Sequence, residues 1–132
     1  MERMLAVGQG LYYTATGLWP IVHLRSFEKV TGPKPEGWLV KTVGALITMI
    51  GGVVLWSGLK RCRVSTEVRM LAAGSAAALG AVDVLYPLKG RISPVYLADA
   101  LPEAALVAAW AWSARRRRRR YEQLDLSLMA PA

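Results

Sequence analysis

Three carboxylates and a few aromatic hydroxyls define the chemistry this chain can attempt. Asp99 and Glu103 stand four residues apart and Tyr96 three residues before Asp99, so on a helix the three share nearly one face. Asp83 is a third acid inside apolar sequence, Lys41 and His23 are basic groups near the ends of two other apolar runs, and Tyr12, Tyr13, Thr14 and Thr16 punctuate an earlier apolar run. Carboxylates in such settings bind a cation or an amine-bearing lipophile, relay a proton, or lock helices together. The ligand-binding candidates are therefore Asp83, Asp99, Glu103, Tyr96, Lys41, Tyr12 and Tyr13. Lys41 has a simpler alternative, because a lysine one turn inside an apolar span can extend its amine to the surface without a partner.

Perturbed carboxylates also suit acid and base work in a lipid-modifying enzyme. No enzyme signature accompanies them. There is no Walker loop, GxSxG elbow or HExxH, and Gly8-Gln9-Gly10 lies inside an apolar run rather than between strand and helix. No catalytic residue, metal site or cofactor is assigned: His23 has no second ligand at metal spacing, and Cys62, the sole cysteine, lies between Arg61 and Arg63.

The elements that must position these groups are apolar runs of membrane-crossing length. The chain has 132 residues, 54% of them hydrophobic and 20% charged, with a formal net charge of +8. Its mean hydropathy of +0.29 excludes a disordered chain. Four spans are expected, at about 4–24, 38–59, 68–88 and 92–113, since about 20 residues at ~1.5 Å rise cross a ~30 Å hydrocarbon core. The first is read as a retained helix and not a secretory signal, because it ends in Trp19-Pro20-Ile21-Val22-His23 without a small-x-small site. The expected fold is an all-α membrane protein, an antiparallel up-down bundle of four transmembrane helices in residues 1–114. Leu24, Phe27 and Val30 add a short interfacial helix in the first outer loop, ended at Gly32-Pro33. Strips of small residues, Ala6/Gly10/Thr14, Gly44/Thr48/Gly52 and Ala72/Ala76/Gly80, are expected to let the helices approach closely.

Charge sets the direction. With four spans, eleven of the 17 Lys and Arg residues fall on one side and six on the other, so both termini are expected in the cytoplasm of an inner-membrane protein. Arg115, Arg116, Arg117, Arg118, Arg119 and Arg120 open a polybasic cytoplasmic tail, 115–132. Placed directly after a span, they are expected to contact anionic inner-leaflet lipid headgroups. No nucleic-acid partner is expected, because the aromatic interleaving of a binding platform is missing. Trp19, Trp38, Trp56, Trp110 and Trp112 fall near span ends, as rings at headgroup level would. In this frame Asp83, Asp99 and Glu103 lie about 7, 10 and 16 Å below the outer surface.

Four short spans with both ends inside resemble the layout of the small bacterial DoxX-like membrane proteins. The resemblance covers the spans as architecture and carries no residue motif, so it implies no site residue. Two functions are expected to compete. One is an acidic polar pocket in the outer half that binds, or helps to move, a small lipophilic or cationic ligand, with a homodimer needed for transport. The other is a membrane accessory or assembly protein whose polar cluster only specifies packing.

Overall fold

The computed structural model describes residues 1–129, with side chains through residue 124. It is all helical, with five helices and no strand among the described residues: α1 Glu2–Val22, α2 Leu24–Thr31, α3 Gly37–Leu59, α4 Thr66–Leu88 and α5 Tyr96–Met129. Two of them, α3 and α4, are long and apolar enough to cross a membrane. Only 17% of the most apolar stretch of each is buried, the opposite of a soluble core helix.

Local chemistry explains the boundaries. His23 ends α1 and caps α2, its Nδ1 accepting the Ser26 N–H at 3.1 Å, which gives this histidine a structural task. Trp19 donates to Ser26 Oγ at 2.8 Å and meets Phe27 edge to face, folding α2 back against the end of α1. The short helix stops at Gly32, whose φ of 87° suits a residue without Cβ, followed by Pro33. Ser65 caps α4 by accepting from the Val68 N–H at 3.4 Å. In that first turn the Glu67 backbone amide, then the Ser65 hydroxyl, hold the Glu67 carboxyl below its ordinary range. Pro87 and Gly90 close α4.

The fourth apolar run differs from its expected bounds. Residues 92–95 form bends and turns, the helix starts at Tyr96, and it continues through all six arginines to Met129. Arg, Ala, Leu and Glu are strong helix formers, and neither Gly nor Pro interrupts the chain between Pro102 and Pro131. Arg118 and Glu122 add an i,i+4 pair at 3.1 Å.

The helices pack as two antiparallel pairs, α1 with α3 and α4 with α5, whereas α3 and α4, although consecutive, touch much less. Glycine makes the first pair close. A Cβ added at Gly10 would lie 2.5 Å from Leu55 N, at Gly17 2.6 Å from Gly44 O, at Gly51 2.6 Å from Thr14 N and at Gly58 2.8 Å from Val7 N. The strip on α3 is thus Gly44, Thr48, Gly51 and Gly58, and Gly52, expected in it, faces open space. Alternating steps of four and three residues keep a contact on one face, whereas repeated steps of four drift around the helix.

Candidate functional site

The face of α1 that meets α3 carries Arg3, Val7, Gly10, Thr14 and Gly17. About 120° around the helix, at ~100° per residue, lies a second face with Glu2, Gln9, Tyr13 and Thr16. This second face is polar and is hydrogen-bonded to the other helix pair. At one end, Ser113 Oγ donates to Glu2 Oε1 at 2.9 Å and Arg69 pairs with Glu2 Oε2 at 3.3 Å. Two turns along, Gln9 Nε2 donates to Ala72 O at 2.8 Å, and Trp110 Nε1 donates to Gln9 Oε1 at 2.7 Å. One turn further, the Tyr13 hydroxyl donates to Glu103 Oε2 at 2.7 Å, and the Tyr12 hydroxyl donates to Asp99.

Charged and polar side chains therefore occupy the interior. Gln9, Tyr13 and Glu103 are among the most deeply buried side chains, and Trp110 is 3% exposed. Trp110 is a buried donor and not the surface ring expected from its place near a span end. It stands seven residues after Glu103, so both project from one face of α5.

The acids meet where α4 and α5 run side by side. Gly80 lies against Glu103, with a Cβ at Gly80 3.1 Å from Glu103 Cβ. Asp83 is one turn beyond Gly80 and Asp99 one turn before Glu103 on the antiparallel helix, which puts the two aspartates at the same level. Asp83 interacts electrostatically with both Asp99 and Glu103. It is 6% exposed, yet no hydrogen bond reaches its carboxylate among the described residues. Its oxygens are not among the fully buried atoms left without a partner, so the carboxylate keeps an opening to the outside of the bundle.

Five of the seven expected residues are thereby brought together: Asp83, Asp99, Glu103, Tyr12 and Tyr13. Tyr96 stands at the start of α5 beneath Lys34, whose Nζ is 4.8 Å from the ring centroid. Lys41 is on an exposed face of α3, with no contact to the acids among the described residues. The polar residues that sequence reasoning passed over are Glu2, Gln9, Trp110 and Ser113. Gln9 carried a usable signal, as a lone amide in the middle of an apolar run. No group of three potential metal ligands clusters among the described residues.

At the opposite end of the bundle, a cavity of about 1270 Å³ opens between the start of α1, the α3–α4 connector, the start of α4 and the middle of α5. Arg3, Arg61, Arg63, Arg69, Arg116, Arg117 and Arg120 line it, with Glu2. No family model, curated protein or solved structure matches this chain.

Proposed function

We propose that the protein is a four-span integral membrane protein of the inner membrane, both termini cytoplasmic, in which α1 and α5 cross beside α3 and α4. Asp83, flanked by Asp99, receives a small cationic or amine-bearing lipophile in the outer half. The layout is the one in which the chain resembles DoxX-like proteins, and the resemblance stays at layout.

The membrane part rests on an inverted distribution of polarity. Gln9, Asp83 and Glu103 are buried, whereas Leu11, Leu46, Met49, Val53, Leu85 and Leu101 are exposed. A water-soluble fold of this size cannot leave that much apolar surface uncovered. In lipid the arrangement is the favourable one, since polar side chains find partners only in the bundle. The ligand part rests on one observation, the largely buried Asp83 carboxylate, which accepts no hydrogen bond among the described residues and stands beside a second carboxylate. Glu103 and Asp99 already hold tyrosine hydroxyls, and these bonds favour a second reading for that pair, the joining of α1 to α5.

Substitution separates the two roles. In nanodiscs, Asp83→Asn should abolish binding of dodecyltrimethylammonium and dodecylamine while leaving the melting temperature unchanged. Glu103→Leu should lower stability by about 1–3 kcal/mol, because it leaves the buried Tyr13 hydroxyl without its acceptor. Undiminished amine binding by Asp83→Asn would overturn the ligand assignment.

A further inference from the structure

The arginine-lined cavity lies at the other end of the molecule and goes beyond the reading above. Its walls come from four separate segments, and their arginines are unevenly engaged. Arg3 Nε donates to Gly58 O at 3.2 Å, Arg69 holds Glu2 and Thr66, and Arg116 stacks over Trp112 at 4.0 Å. Arg63 reaches across to the Tyr121 hydroxyl at 3.4 Å, so the α3–α4 connector and α5 face each other over the cavity. Arg61 on the connector and Arg117 and Arg120 on α5 have no hydrogen-bond or ion-pair partner among the described residues. Arg69 keeps its Nε without an acceptor as well.

The lining has one acid, Glu2, against seven arginines, and that acid is already held by Arg69 and Ser113. The cavity therefore carries a surplus of guanidinium forks on two opposing walls. A guanidinium engages a phosphate through two parallel N–H···O bonds. One phosphate would satisfy one wall and leave the other unpaired. The volume, about 1270 Å³, exceeds the roughly 300–1,000 Å³ of ordinary small-ligand pockets. Met4 and Leu59, both strongly exposed, form part of its rim and continue onto the apolar exterior.

We propose that this cavity binds an anion carrying two phosphate groups, in a bilayer the headgroup of a diphosphate-bearing phospholipid. Arg61 grips one phosphate from the connector, and Arg117 and Arg120 grip the other from α5. The apolar rim at Met4 and Leu59 lets the acyl chains leave toward lipid. The lipid source rests on the four-span reading; the anion site itself does not.

The test uses the full chain in dodecylmaltoside. Native mass spectrometry follows retention of cardiolipin against phosphatidylglycerol supplied at equal total charge, and calorimetry follows inorganic pyrophosphate without lipid. Arg61→Gln/Arg120→Gln removes two uncommitted lining arginines. Lys89→Gln/Arg91→Gln removes two exposed basic residues at the other end of the bundle that do not line the cavity. The cavity variant should bind the preferred anion at least tenfold more weakly, as expected for losing charge-assisted hydrogen bonds, with the control unchanged. Retained cardiolipin that pyrophosphate cannot displace assigns the lipid headgroup as the source; pyrophosphate binding lost only in the cavity variant assigns the free anion. Equal loss in both variants would sink the proposal, as would the absence of both cardiolipin preference and pyrophosphate binding. Melting temperatures of the unliganded variants check that neither has unfolded, and the topology measurement on Cys62 described below tests the four-span reading separately.

Discussion

Replacing Gly10 by alanine should loosen the α1–α3 pair, and the structure sets the size of the effect. The new Cβ would stand 2.5 Å from Leu55 N, 2.6 Å from Leu55 Cα and 2.6 Å from Leu55 Cβ. Two of these three atoms are backbone, so no rotamer change relieves the clash. Restoring an ordinary contact of about 3.5 Å requires the helices to part by ~1 Å, a gap that forfeits a quarter to a half of the dispersion well at each opposed atom pair. Overpacking of this kind costs about 1–3 kcal/mol, and alanine returns ~1 kcal/mol of helix propensity, leaving a net loss of roughly 0–2 kcal/mol against the parent chain. Gly52→Ala is the matched control: nothing lies within 4 Å of its added Cβ, so only the propensity gain remains. Equilibrium unfolding of both variants in the same mixed micelles reads the difference directly. A Gly10→Ala variant as stable as Gly52→Ala would refute the close α1–α3 contact.

Gln9→Leu should destabilise by about 1–3 kcal/mol, because it leaves the buried Trp110 Nε1 without an acceptor; adding Trp110→Phe should recover part of that loss in a double-mutant cycle, and strict additivity would contradict a direct bond. Arg118→Ala should change stability by less than about 0.5 kcal/mol, since its ion pair with Glu122 lies on an exposed helix face, and a larger shift in thermal melting would count against that assignment. Cys62 is exposed and is the sole cysteine, so a membrane-impermeant maleimide should label it in inverted vesicles and spare it in intact spheroplasts. Labelling in spheroplasts would refute the cytoplasmic placement of the α3–α4 connector.

How much of this was legible in the chain differs from element to element. Helix count and the short α2 follow from apolar period and punctuation, and Gly32-Pro33 ends α2 where a positive φ is needed. The end of α5 was less legible, because hydropathy falls at Ser113 while helix propensity does not, and a helix obeys the second. The spacing of Asp99 and Glu103 announced one face, and the tyrosines that meet them lie 87 and 90 residues away in sequence. Proximity over such a distance is created by the fold. Trp110 illustrates the same limit: its position in sequence suits an interfacial ring, and only the approach of α1, 101 residues distant, makes it a buried donor to Gln9. Lys41 points the other way. Charge balance nominates it as a partner for the acids, but its face of α3 turns outward.

The two faces of α1 also carry an assembly order. On the four-span reading, α1 and α3 enter the bilayer before α4 and α5 exist, and their glycine contact needs nothing from the later helices. During that interval the Gln9 amide and the Tyr13 hydroxyl have only each other, an unfavourable state that persists until α4 supplies the Ala72 carbonyl and α5 supplies Trp110 and Glu103. An unfinished chain thus displays a polar mark in the hydrocarbon that a finished one conceals, and membrane quality control would have a chemical basis for telling the two apart.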